Sequence, residues 1–176
     1  DVVHVGDTVT GRLSSKTDAD YFSFSISSPL VLTVRFSAGS YSDWTFYAGV
    51  YDANGQWTRL GAGYVGAAGA SEFSVALTKA GNYGLYVGVS TTYSADSYSL
   101  QLGSVSSVSN WEHEGNNSVA TANAITLGQT MTGQLYANDV DYYSVTIGSK
   151  GCFSASIAGT GSATSDAYRA SLYDSA

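Results

Sequence analysis

Residues 18–26 read Asp18-Ala19-Asp20-Tyr21-Phe22-Ser23-Phe24-Ser25-Ile26. In an extended chain Phe22, Phe24 and Ile26 fall on one face, and Tyr21, Ser23 and Ser25 on the other. That period of two recurs along the chain. Leu32, Val34 and Phe36 alternate with Thr33 and Arg35. Phe73, Val75 and Leu77 repeat the pattern, as do Tyr83, Leu85, Val87 and Val89, and then Tyr98, Leu100 and Leu102. Turn signals separate the runs at Asp52-Ala53-Asn54-Gly55, Ala80-Gly81-Asn82 and Gly148-Ser149-Lys150-Gly151. Many short strands at this spacing predict an all-β fold, an antiparallel β-sandwich or jelly roll. Ser118–Ala122 is the one helical candidate, and it is short.

The same stretch exposes an internal repeat. Asp18-Ala19-Asp20-Tyr21-Phe22-Ser23-Phe24 matches Asp139-Val140-Asp141-Tyr142-Tyr143-Ser144-Val145. Before it, residues 5–13 (Val5-Gly6-Asp7-Thr8 through Gly11-Arg12-Leu13) match residues 127–135 (Leu127-Gly128-Gln129-Thr130 through Gly133-Gln134-Leu135). After it, Val50-Tyr51-Asp52-Ala53 matches Leu172-Tyr173-Asp174-Ser175. The chain therefore reads as one and a half tandem copies. Residues 1–103 form a first sandwich without its head, 104–110 a small-residue linker, and 111–176 the first half of a second sandwich. The head of the second copy, Trp111 to Ile125, has no counterpart ahead of Val5 in the sequence. Two explanations stand side by side: a fragment, or a half-sandwich completed by strand exchange with a neighbour. Head-to-tail exchange does not close on itself and would build a fibre.

Composition narrows the function. Seven Lys and Arg stand against fourteen Asp and Glu, for a net charge of −7, so a basic stripe for nucleic acid is missing. Charged residues make up only 12% of the 176, about half the usual share. No apolar run approaches the roughly 20 residues that span a bilayer, so membrane insertion is not expected. The N-terminus opens on Asp1 with no basic n-region and reads as a mature or trimmed chain. Cys152 is the single cysteine, which excludes an internal disulfide, and it reads as a small buried hydrophobe. His4 and His113 are the only histidines, and neither lies in a nucleophile motif, so an enzyme is not expected.

Glu occurs three times, and two of the three stand together in Trp111-Glu112-His113-Glu114-Gly115-Asn116-Asn117. In an extended segment Glu112 and Glu114 share a face, His113 turns away, and Asn116 and Asn117 add neutral oxygens. Asp141 has the parity of Tyr143, Val145 and Ile147, and Asp20 that of Phe22, Phe24 and Ile26. A carboxylate at such a strand mouth needs hydrogen bonds or a cation. Oxygens of this kind suit calcium, which takes about 6–8 of them; the competing reading has the aspartates capping turns.

The Glu-His-Glu-Gly-Asn-Asn-Ser head, the Gly-x-Leu strand, the Asp-x-Asp-Tyr motif and Gly81-Asn82-Tyr83-Gly84-Leu85-Tyr86-Val87 together resemble the bacterial pre-peptidase C-terminal domain. The resemblance is similar in kind to the collagen-binding domains of clostridial collagenases. It implies a jelly-roll sandwich of secreted or surface proteins, with calcium held by Glu112, Glu114, Asn116, Asn117, Asp139 and Asp141. Asn117 stands where the family has Asp, and Asn138 where a turn Asp is found; both departures remove negative charge. Tyr86, with Gly84 and Gly88 on its own face, is a candidate platform for a peptide or sugar, or else a cover for strand glycines. Trp44 and Trp57 read as core or loop anchors. Asn116-Asn117-Ser118 fits a glycosylation sequon.

These readings converge on a non-catalytic extracellular repeat protein with a structural or adhesive role, self-associating and ordered by calcium. The alternative is an accessory module of a secreted protease that binds collagen, another protein or a polysaccharide.

Overall fold

The computed structural model of the chain describes residues 1–38, 46–52, 58–65, 70–105, 108–135, 139–159 and 168–174, with the side chains of 46–49, 58, 64 and 65 left out. Trp44, Trp57, Asn138 and most of the Asp52–Gly55 turn lie outside the described residues. Two compact units divide at Val145/Thr146.

In Asp1–Val145, eight strands build two four-stranded antiparallel sheets. They are β1 (Thr8–Gly11), β2 (Ala19–Ile26), β3 (Leu30–Ala38), β4 (Phe46–Asp52), β5 (Thr58–Val65), β6 (Ala70–Leu77), β7 (Gly81–Val89) and β8 (Tyr98–Val105). One sheet runs β1-β8-β3-β6 and the other β2-β7-β4-β5. β8 continues to Val105, into the stretch read as linker. Alternation does what the sequence predicts. Phe22, Phe24 and Ile26 of β2 and Leu85 and Val87 of β7 join Val34 and Phe36 of β3 and Leu100 and Leu102 of β8 in one apolar core. Each large side chain buried there contributes about 1.5–3 kcal/mol relative to exposure. On the outer faces polar residues pair across strands, as Arg35 does with Glu72 at 3.0 Å.

The order of the strands carries a consequence. β1 pairs with β8, β2 with β7, β3 with β6 and β8, and β4 with β5 and β7. Among these eight strands every ladder thus joins a strand from β1–β4 to a strand from β5–β8. Among the described residues the first four strands contain no ladder of their own.

The second copy holds residues equivalent to β1–β4. Two short strands form there, β9 (Asn123–Ile125) and β10 (Tyr143–Val145), paired in parallel. A bridge from Val2 to Ser23 repeats this contact in the first copy, with Val3 N–H donating to Ser23 at 2.9 Å. Asp1–Val3 is therefore the counterpart of Asn123–Ile125. The following turn also recurs: Asp7 N–H reaches His4 O, Gln129 N–H reaches Thr126 O, both at 3.0 Å. Gly6 and Gly128 serve it with φ of 106° and 83°, a region open to glycine. Ser118–Ala122 contains a single 3₁₀ turn, Val119–Thr121.

Thr146–Ala176 contains no strand among its described residues, and its described apolar side chains Ile147, Phe153, Ile157, Tyr168, Leu172 and Tyr173 are exposed. Cys152 is exposed too, contrary to the buried role expected of it. The positions around it alternate like β3, but burying a strand face requires the opposing strands, and in the first copy β3 gets them from β6 and β8.

Candidate functional site

The head of the second copy is laid down by main-chain bonds. Thr132 N–H donates to Asn110 O at 2.8 Å and Glu112 N–H to Thr132 O at 2.9 Å, so Asn110–Glu112 runs beside the equivalent of β1. Asn123 clamps His113, accepting its N–H at 2.7 Å and donating to its carbonyl at 3.2 Å. Tyr142 N–H donates to Asn116 O at 2.9 Å. These bonds carry Glu112 and Asn116 inward, where they are 3% and 0% exposed. His113 faces solvent, as its parity predicted.

Glu112 is bound at both oxygens: Gln134 N–H donates to Oε1, and the Tyr143 hydroxyl to Oε2 at 2.9 Å. Gly133 makes room for it, since a Cβ there would come within 2.5 Å of Glu112 Oε2 and 2.8 Å of the Tyr143 hydroxyl. Around Glu112 stand Glu114, Asp139 and Asp141. Burial, and then the charges of Asp139, Glu112 and Asp141, push the Glu114 carboxyl up to about 8. Asp141 is pushed up as well, first by burial and then by the hydrogen bond and charge it shares with Glu112. The Asn116 amide beside Asp141 works the other way, favouring its ionised form. Even so, no well-aligned hydrogen bond reaches either amide atom of Asn116, Glu114 Oε2 or Asp141 Oδ1.

Such a set is electrostatically unfinished. Buried acceptor oxygens without well-aligned donors, and carboxyls pushed up first by burial and then by one another's charge, are what a hard cation would relieve. Among the described residues no three acidic, imidazole or thiol groups converge on one point as they stand. Asn117 is exposed and enters none of these contacts. Asp139 accepts Val140 N–H at 3.0 Å, the same cap that Asp18 gives Ala19 N–H at 2.9 Å. With Asn116 buried, the sequon there is closed to glycosylation.

Gln134 and Tyr143 were not singled out from sequence. Gln134 acts through its main-chain N–H, which no side-chain pattern marks; Tyr143 shared the parity of Asp141, and that was its one signal. In the first copy the matching place is filled differently. Gly11 faces the Tyr98 ring, whose hydroxyl donates to Asp20 Oδ2 at 2.5 Å. Asp20 thus has a hydrogen-bond donor where Asp141 has the carboxyl of Glu112 beside it.

Tyr86 lies on the outer face of the β2-β7-β4-β5 sheet. Its ring meets Tyr21 edge-on at 5.3 Å and Tyr51 at 6.4 Å, and it folds over Gly88, where a Cβ would strike its hydroxyl. Tyr21 is exposed. His4 pairs with Asp7 at 3.3 Å on the surface. No helix among the described residues is long and apolar enough to cross a membrane.

No protein-family model matches the chain, and no curated protein does. Among solved structures it is similar to the pre-peptidase C-terminal domain of a collagenase from Bacillus anthracis, at 16% identity and a TM-score of 0.45, over 57% of this chain and 91% of that one. It is also similar to a CBM4 structure, at 14% identity and a TM-score of 0.32, over 54% of this chain and 77% of that one.

Proposed function

We propose that the chain is a non-catalytic β-sandwich module of the extracellular space with a structural or adhesive role, in which calcium orders the head of the second repeat and strand addition at that repeat makes the joint. The observation that carries the calcium reading is Asn116: fully buried, with no well-aligned hydrogen bond to either amide atom, beside acidic side chains whose charges raise one another's carboxyls. Glu112, Glu114, Asp139 and Asp141, with Asn116, would hold the ion, and its charge would offset theirs. Asn117 belongs to the set only if the loop turns inward. Support for a non-catalytic role comes from the histidines, one engaged by Asp7 at the surface and the other exposed.

Calorimetric melting in calcium and in chelator tests the reading. Calcium is expected to raise the melting temperature of the parent chain, and Glu112→Gln with Glu114→Gln to abolish that rise. An equal loss in both buffers would exclude the metal.

The Tyr21, Tyr51 and Tyr86 cluster favours a second reading, an accessory module that binds collagen, another peptide or a polysaccharide through aromatic stacking. Co-sedimentation with insoluble collagen or polysaccharide, lost in Tyr21→Ala, would support it.

A further inference from the structure

β5 is the last strand of the sheet β2-β7-β4-β5, with β4 as its one ladder partner among the described residues. Such an edge carries main-chain groups that no ladder pairs. The opposite edge, β2, is covered by main-chain bonds from Asp1–Val3. At β5 the cover is a side chain. The Ala62 carbonyl accepts a hydrogen bond from Gln134 Nε2 at 3.3 Å, across 72 positions of sequence, and Ala62 is only 7% exposed. Gly61 keeps the space beside that amide open: a Cβ there would press on Val75 Cβ at 3.2 Å and lie 3.5 Å from Gln134 Oε1.

Gln134 faces two ways. Its main-chain N–H donates to Glu112 Oε1, and the other oxygen of Glu112 accepts the Tyr143 hydroxyl at 2.9 Å. A continuous line of hydrogen bonds thus runs from Ala62 in β5 through Gln134 to Glu112 and on to Tyr143 of β10. All of it lies within the compact unit Asp1–Val145. The matching residue of the first copy is Arg12, another side chain with N–H donors.

We propose that Gln134 is a positioning residue that clasps the head of the second copy to the β5 edge, so that order at the acidic site and order along β5 are coupled. Linkage makes the effect reciprocal: whatever fixes Glu112 also holds β5, and whatever loosens β5 frees Glu112. The clasp itself needs no ion. Its response to calcium rests on the calcium reading given above.

Coupling of this kind is read by moving one end and watching the other. Amide hydrogen exchange of the full chain, in chelator and in calcium, does so. In chelator, Gln134→Ala is expected to speed exchange at residues 59–63 by about two- to tenfold, the range that one net hydrogen bond gives, and to leave residues 22–26 of β2 unchanged. Gln134→Arg, which keeps N–H donors at the position, is expected to retain the protection. Calcium is expected to slow exchange at residues 59–63 in the parent chain and not in Gln134→Ala, although calorimetric titration still shows that variant binding calcium. Unchanged exchange at residues 59–63 in Gln134→Ala would overturn the inference, as would acceleration spread evenly over β2 and β5 or equal acceleration by alanine and arginine. Calcium slowing β5 equally in the parent and in Gln134→Ala would overturn the coupling. Acceleration confined to residues 59–63, with no calcium binding by the parent chain, would support the clasp and overturn the calcium reading.

Discussion

Replacing Leu13 by alanine, and separately Leu135, puts the asymmetry of the two repeats into energies. Leu13 is wholly buried in the core formed by Phe22, Phe24, Leu85 and Leu100. Its truncation removes a full leucine's burial and leaves a cavity that a sheet held at both edges can only partly collapse. Substitutions of this kind cost about 2–5 kcal/mol. For a sandwich of about 100 residues, each kcal/mol lowers the melting temperature by roughly 4–8 °C, so a fall on the order of 10–30 °C is expected. Leu135 already gives 42% of its surface to water. Its truncation forfeits only part of the transfer energy and opens no closed cavity, so a cost of about 1 kcal/mol or less follows. Thermal unfolding of both variants followed by circular dichroism reads the difference directly. Equal falls for the two would mean that residue 135 is packed as residue 13 is, and the reasoning from strand order would fail.

Without calcium, the head should lose stability as pH rises. Glu114 and Asp141 have folded-state values above their unfolded ones, so the stability they lend is complete below 4.5 for Glu114 and 3.8 for Asp141, and is lost as pH rises toward about 8. Melts in chelator should show that decline between pH 5 and 8, and melts in calcium a flatter profile; a chelated chain growing more stable over that window would refute the assignment. Gly11→Ala forces Tyr98 off Asp20 and should cost about 1–3 kcal/mol as overpacking, and Tyr98→Phe about 1–3 kcal/mol by stripping Asp20 of its donor. Because both act on one contact, urea unfolding of the double variant should show less than their sum, and strict additivity would uncouple the two residues.

Much of the first sandwich is legible in its residues. Strands over 22–26, 32–36, 73–77, 83–89 and 98–102 follow from alternation of large apolar and small polar side chains, a local signal. β5 is harder: Gly61 and Gly63 interrupt its pattern, and the register of β4 against it shifts at Val50/Tyr51. Sheet order is not legible, because pairing partners such as Gly11 and Tyr98 stand far apart in the chain. Parity showed that Asp20 needs a partner and could not say that a tyrosine 78 positions later provides it. For the candidate site, Glu112 and Asn116 were legible as oxygen-bearing residues of the head, and both are buried. The depth of Asn116 and the exposure of Cys152 were not, since each depends on which distant strand covers it.

The repeat itself separates local preference from context. Asp-x-Asp-Tyr-(Phe/Tyr)-Ser opens an eight-residue strand in one copy and leads into a three-residue strand in the other. Propensity is nearly the same, since aromatic and β-branched residues fill both. The longer strand is the one whose other edge is taken by β7. The acidic site follows the same rule. Gly11 and Gly133 leave equal room at equal places, and the room goes to whatever the fold brings there: in one copy the Tyr98 ring from β8, in the other the Glu112 carboxyl from the head. A hydroxyl donor completes Asp20, whereas a second carboxyl beside Asp141 raises both the local charge and the need for a cation. Strand completion and the chemistry of the head are thus two outcomes of one choice, made by the strand or segment that lies over a glycine.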